Sequence, residues 1–244
     1  MSKFGTCRNS VLAVIITFVV TIGSAQAITL WYGGDADGVT ALLSEGNSAS
    51  AVQAMVYDDF TVPAGGWNVS EVWANDVVLL GDENPPNAYW EIRSGLTDGS
   101  GGSLIESGTD ACSFTATGGS NFGLPEYLVD VSGLSFTLAP GTYWVGVAPV
   151  DDGTGEYFDE TTSGLNVVGS PINGNSFFDS FDQGYTFVAA SDSTFPLGPG
   201  AWDFSLGVAG EPVSAAVIPE PATLSLLGLG LTGLIAKIAK RKSR

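Results

Sequence analysis

The 244-residue chain contains no histidine, and this absence removes several classes of enzyme. Histidine is the commonest general base near neutral pH, and Ser-His-Asp triads, Cys-His pairs and H-E-x-x-H zinc sites all require it. The sequence also has no G-x-S-x-G nucleophile elbow and no Walker loop. We therefore expect a protein that is not an enzyme, with no catalytic residues and no cofactor. A glycoside hydrolase that works with two carboxylates alone stays open as an alternative.

Positive charge is scarce in the middle of the chain. Between residues 28 and 218 only Arg93 is cationic, against 25 Asp and Glu residues, which gives this segment a formal charge of −24. A protein that binds nucleic acid needs Lys and Arg to displace the counterions of the phosphates. Nucleic-acid binding is therefore excluded, and the acidity indicates either solubility alone or screening by a divalent cation such as calcium.

Cysteine is nearly absent as well. Cys7 lies in a segment that we expect to be removed, which leaves Cys112 without an intramolecular partner. We expect Cys112 to be a small buried apolar side chain, as most single cysteines are.

The first 27 residues have the three parts of a secretory signal. A positively charged start precedes an apolar run over residues 11–22, which is too short to cross a bilayer as a helix. The small side chains of Ala25 and Ala27 fit the subsites of signal peptidase. The pattern predicts export by the Sec machinery and cleavage by signal peptidase after Ala27.

The C-terminal end also consists of three parts in a defined order. Pro219, Glu220 and Pro221 precede an apolar segment, 222–239, that is long enough to span a bilayer as a helix with little tilt. A basic tail, which favours the cytoplasmic side of the membrane, completes the chain with Lys237, Lys240, Arg241, Lys242 and Arg244.

This end resembles the PEP-CTERM sorting signal, a motif also catalogued as the ice-binding protein C-terminal domain. The resemblance implies that Pro219, Glu220 and Pro221 are the recognition element for the membrane enzyme exosortase. It also implies a Gram-negative bacterium that makes extracellular polysaccharide. The expected route passes through an inner-membrane intermediate to the cell surface or the extracellular matrix.

Between the two signals the sequence predicts β-strands. Apolar residues alternate with polar ones over 88–93, 134–138 and 202–206, and this period of two is typical of half-buried strands. Further strands are expected at Ala51–Val62, Val69–Leu80, Tyr143–Val147 and Thr186–Ala189. With other short apolar runs, we expect roughly eight to ten strands in all.

Gly-, Pro- and Asn-rich turns separate these segments at intervals typical of hairpins. The predicted fold is therefore all-β, a single antiparallel β-sandwich of jelly-roll or immunoglobulin-like type. It occupies residues 28–212, and residues 213–218 form a tether to the sorting signal at 219–244.

Acidic clusters between the strands are candidates for calcium binding through oxygen ligands. None has the spacing of an EF-hand loop, so a solvated acidic turn is the competing interpretation. One cluster lies near residue 35, and the other lies in a Gly-containing loop after Val150, where the candidate ligands are Asp151, Asp152, Glu156 and Asp159.

These features predict a surface or matrix protein with a structural or adhesive role in exopolysaccharide or biofilm. The alternative is a carbohydrate-binding module, in which exposed tryptophans would stack on sugars. Most of the tryptophans are expected in the core, because a domain of this size needs bulky residues inside. The six tryptophans are Trp31, Trp67, Trp73, Trp90, Trp144 and Trp202.

Overall fold

The computed structural model describes residues 27–47, 51–80, 84–151, 155–169, 172–181, 183–192 and 202–213. The described part is almost entirely β-structure, as the sequence predicts, with a single short 3-10 helix at Ala190–Asp192. Among these residues no helix is long and apolar enough to cross a membrane. The predicted signal before Ala27, the Pro-Glu-Pro motif and the predicted transmembrane helix lie outside the described residues.

The described residues contain fourteen strands. The first seven are β1 (Ile28–Tyr32), β2 (Ala36–Leu43), β3 (Glu45–Asn47), β4 (Ala51–Val62), β5 (Trp67–Leu80), β6 (Asn87–Ser94) and β7 (Ser103–Ala111). The others are β8 (Ser113–Asn121), β9 (Leu124–Leu138), β10 (Gly141–Asp151), β11 (Glu156–Thr162), β12 (Phe177–Ser180), β13 (Tyr185–Ala189) and β14 (Leu206–Pro212).

The strand count exceeds the predicted eight to ten in part because β7 and β8 lack an apolar face. Both are rich in Ser, Thr and Gly, and most of their residues are exposed. Each lies at the edge of a sheet, where one neighbouring strand supplies the hydrogen bonds and no buried stripe is required. Hydrophobic periodicity therefore gives no signal for them.

The strands form two seven-stranded sheets. The first sheet contains β1, β2, β5, β8, β9, β11 and β14, and the second contains β3, β4, β6, β7, β10, β12 and β13. The described pairings are antiparallel except that of β3 with β10. At the centre of the first sheet, β5 pairs along one edge with β9 and along the other with β14 and then β11. Asn75 lies where β14 gives way to β11.

One hydrophobic core joins the two sheets, and residues from both contribute to it. The Phe60 ring is fully buried and lies 5.5–5.9 Å, centroid to centroid, from the rings of Trp31, Trp67 and Tyr143. The predicted alternation in β6 is confirmed on its apolar side, where Ala88, Trp90 and Ile92 are buried.

The prediction of a strand across 202–206 is wrong for most of that segment, since β14 begins only at Leu206. Its polar residues are also not solvent-facing, because Asp203 is 6% exposed and Ser205 is 1% exposed. Both side chains bind backbone groups. Asp203 accepts hydrogen bonds from the amides of Asn173 and Gly174, and Ser205 donates one to the carbonyl of Gly34.

The turn between β4 and β5 depends on Gly66. Its φ of 86° lies in the left-handed region, and a Cβ there would lie 2.5 Å from the carbonyl oxygen of Leu138. A side chain at this position would therefore be strained and would also collide with backbone.

We predict that Gly66→Ala lowers the free energy of unfolding by about 2 kcal/mol or more, from strain of about 1–2 kcal/mol plus the collision. Denaturant unfolding of the purified chain measures the loss. Gly99→Ala is the matched control, because Gly99 also has positive φ, 74°, but no atom within 4 Å of the added Cβ. Equal losses in the two variants would contradict the proposed contact with Leu138.

Candidate functional site

The outward face of the first sheet carries a cavity of about 660 Å³. Side chains of β5 and β9 form its centre, flanked by β1 and the β1–β2 connection on one side and by β8 on the other. The residues that line it include Thr29, Tyr32, Asp35, Glu71, Trp73, Asn75, Thr117, Glu126, Leu128 and Ala209. We call this cavity the main cavity.

A smaller cavity of about 350 Å³ adjoins the main cavity. Ala27 lines both, so the two lie side by side on the same face. Most of the other residues around the smaller cavity are polar and come from β5, β9 and β14; they include Asn68, Ser70, Ser135, Thr137 and Glu211. Together the two cavities form a trough across the strands, and we call it the trough below.

The Trp73 indole forms an aromatic floor in the main cavity. It covers the backbone of Gly207 on the neighbouring strand, where a Cβ would lie 2.1 Å from two indole carbons. The ring of Tyr32 lies 5.9 Å from that of Trp73. Trp73 is 9% exposed, so the trough offers a recessed aromatic surface and not a projecting one.

A hydrogen-bond network holds the polar wall of the main cavity. The Tyr32 hydroxyl donates to Asp35 at 3.2 Å and accepts a hydrogen bond from the amide of Asn75 at 3.2 Å. The Asn75 amide also donates to the Ser205 hydroxyl at 2.7 Å. These bonds fix Tyr32 and Asn75 before any ligand arrives, because each has a defined partner on another strand.

Two carboxyl groups, those of Glu71 and Asp130, lie next to each other at the trough. Partial burial, and then the neighbouring Asp130, raise the pKa of Glu71 above its usual value. Partial burial also raises the pKa of Asp130, and the two side chains hydrogen-bond to each other. A hydrogen bond between two carboxyls requires that one of them be protonated.

A second carboxyl pair lies inside the domain and was not predicted from the sequence. Asp76 and Asp159 face each other across β5 and β11 and are 0% and 1% exposed. Burial raises the pKa of Asp76 from 3.8 to about 7, and burial together with Asp76 raises the pKa of Asp159 well above its ordinary range. The Ser44 hydroxyl, which lies beside Asp159, donates its proton to the carbonyl of Val147. Both carboxyls of the pair therefore hold a proton more tightly than exposed carboxyls do.

Glu160 is a third buried carboxyl, with 0% exposure. Burial raises its pKa from 4.5 to about 8. A hydrogen bond from the Asn121 side chain lowers this pKa in part, but burial has the larger effect.

The predicted calcium ligands do not come together where the structure describes them. Glu156 and Asp159 belong to strand β11, so the interpretation of this stretch as a loop is wrong. Residues three apart on a strand lie about 10 Å from each other and point to opposite faces. Asp151 accepts a hydrogen bond from the Tyr157 hydroxyl, and Asp152 lies outside the described residues.

No group of three or more carboxylates or cysteines in the described ranges is arranged to hold a metal ion. The other acidic cluster, near residue 35, makes protein contacts instead: Asp35 accepts hydrogen bonds from Tyr32 and Asn166, and Asp37 accepts one from Thr161. Calcium binding therefore stays a prediction.

Arg93, the single cation of the domain, lies in the second sheet. Its guanidinium pairs with Glu91, which is 6% exposed, and packs over the rings of Tyr57 and Phe187. Arg93 thus neutralises a buried carboxylate and does not line the trough.

Most of the tryptophans are buried, as the sequence predicts, whereas the cysteine is only half-buried. Four tryptophans are buried, namely Trp31, Trp67, Trp73 and Trp90, while Trp144 and Trp202 are partly buried. They do not form an exposed row. Cys112 is half-buried, not fully buried, and its pKa is raised to about 11 by burial and then by Asp76. Its thiol donates to the carbonyl of Pro85.

These features define an acidic all-β protein with an outward trough. A comparison with known families indicates how the protein is sorted. Residues 217–242 match the family model of the PEP-CTERM protein-sorting motif. The chain thus carries a PEP-CTERM sorting motif, which supports sorting by exosortase to the bacterial cell surface. No curated protein matches the chain significantly.

We predict that the domain loses stability as the pH rises from about 4 to about 7, because a proton shared by Asp76 and Asp159 stabilises the fold progressively less over that range. A carboxyl with a pKa near 3.8 when unfolded and about 7 when folded stabilises the fold below about pH 4, and this contribution disappears above pH 7. Asp76→Asn, which cannot ionise, should be more stable than the wild type at alkaline pH by an amount of order 4 kcal/mol.

Thermal melts of both proteins at several pH values measure this effect. Asp98→Asn is the control, since Asp98 is exposed and its substitution changes the net charge equally. A wild-type melting temperature that stays constant from mildly acidic to mildly alkaline pH would show that the pair does not share a proton.

Proposed function

We propose that this protein is a non-catalytic adhesive or structural component of the extracellular polysaccharide matrix of a Gram-negative bacterium. Its N-terminal signal leads to export, and the apolar segment 222–239 anchors the exported chain in the inner membrane as an intermediate. Exosortase then acts at Pro219, Glu220 and Pro221. The β domain, a sandwich of the jelly-roll or immunoglobulin-like type, contacts polysaccharide through the trough.

The match of residues 217–242 to the sorting motif carries the first half of this proposal. The trough supports the second half. It offers an aromatic floor, amide and hydroxyl groups, and an elongated shape, and these are the elements with which side chains bind sugars. The proposal therefore combines the two predictions, because carbohydrate binding would be the means of adhesion.

A hydrolytic role is less well supported by the same site. The carboxyls of a retaining glycosidase lie about 5 Å apart, and those of an inverting enzyme lie farther apart. Glu71 and Asp130 are close enough to hydrogen-bond to each other, which is closer than the separation that either mechanism uses. This geometry favours binding over hydrolysis.

We predict that the protein isolated from its host loses the segment beyond the Pro-Glu-Pro motif only when exosortase is present. Intact-mass measurement and membrane fractionation of strains with and without the exosortase gene test this. Glu220→Gln should retain the full tail, whereas Glu211→Gln, nine residues upstream, should be processed normally. A full-length tail in both strains would mean that the end is a membrane anchor only.

We predict that Thr117→Trp abolishes adhesion of the full chain to the host's exopolysaccharide, because the indole would fill the main cavity. Thr117 is exposed on edge strand β8, so the fold should tolerate the change. Thr109→Trp, on the exposed edge strand β7 of the second sheet, is the control. Retention of the purified chain on immobilised polysaccharide is the measurement, and undiminished retention of Thr117→Trp would place adhesion elsewhere.

A further inference from the structure

Every charged side chain that lines the trough is acidic. Asp35 comes from the β1–β2 connection, Glu71 from β5, Glu126 from β9 and Glu211 from β14. Asp130 lies beside Glu71 and adds a further carboxyl. The single cation between residues 28 and 218, Arg93, is paired with Glu91 in the other sheet. The trough therefore has a negative potential that the domain's own side chains leave uncompensated.

We infer that the trough binds a polysaccharide whose sugars carry free amino groups. This inference rests on the proposed adhesive function and names the class of polymer. Ammonium groups would pair with Glu71 and Glu126 through charge-assisted hydrogen bonds. Trp73 and Tyr32 would contact the apolar faces of the sugars and attract the same cations through their rings. A polymer of uronic acids would meet repulsion at each of these carboxylates.

The position of the trough favours a glycan over a basic peptide. Extended peptides bind β-proteins mainly by adding a strand at a free sheet edge. The trough is centred on β5, which is paired along both edges, so its backbone groups are already used. What remains available is side-chain amides and hydroxyls, such as those of Asn75, Thr117 and Ser135. Sugars bind through groups of this kind.

The length of the trough favours a polymer over a single sugar. Its two cavities, about 660 and 350 Å³, adjoin at Ala27. Ala27 is also the residue after which signal peptidase is predicted to cut. Cleavage would remove a residue at the boundary of both cavities, and the two adjoining cavities would remain open to consecutive sugars of one polymer.

The test compares oligomers of β-linked glucosamine with fully N-acetylated oligomers of the same length, which are matched in shape but carry no charge. Titration calorimetry with the full chain in detergent, at mildly acidic pH, measures both. We expect at least about tenfold tighter binding of the free amine, as one good charge-assisted contact provides. Glu71→Gln and Glu126→Gln should each reduce that preference, while Glu106→Gln on β7 should leave it unchanged.

The outcomes separate this inference from the proposed function. Equal affinity for both oligomers, lost in Thr117→Trp, would retain adhesion and overturn the preference for amines. Failure of every tested polysaccharide to bind would overturn both. Tighter binding of an oligolysine peptide at the trough, or binding of a uronate polymer that requires added calcium, would also overturn the inference.

Discussion

The fold depends on the burial of carboxyl groups in a domain that has almost no cations to pair with them. A buried carboxylate without a partner is costly, so each must gain a hydrogen-bond donor or a proton. Asp58 accepts the backbone amides of Asp59 and Phe204, and Glu91 takes the single arginine. Burial raises the pKa of Asp76 and of Asp159, which favours a retained proton instead. The buried carboxyl groups are thus compensated by backbone amides, one arginine and retained protons. In other proteins lysines commonly do this.

The same shortage of cations links the interior to the surface. Asp58 and Asp203 bind backbone amides of segments that lack regular pairing, and so fix the chain that leads into β14. β14 in turn supplies Gly207, on which Trp73 rests, and Ala209 in the floor of the trough. The outward carboxylates remain unneutralised. A cationic partner is therefore the ligand that such a surface accommodates with least electrostatic cost.

Much of the fold was predictable where one period of hydrophobicity dominates. The strand predicted at Ala51–Val62 matches β4 at both ends, and β5 and β10 extend only a few residues beyond their predictions. β7 and β8 were missed because edge strands need no buried face. The stretch containing Asp159 and Glu160 was interpreted as a loop because acidic residues are rare in buried strands. A protonated carboxyl can be buried in a strand, but the local sequence does not reveal which carboxyls are protonated.

The sequence by itself determined the class of protein, the destination implied by residues 217–242 and the absence of histidine-dependent chemistry, because targeting signals and composition are local properties. It also determined the β-rich interior, since alternation is read along one strand. Only the tertiary structure decided which carboxyls are buried together and which tryptophan lies at the trough. Asp76 and Asp159 are 83 residues apart, and Trp73 and Gly207 are 134 apart. Sheet pairing brings such residues into contact, and no local pattern encodes it.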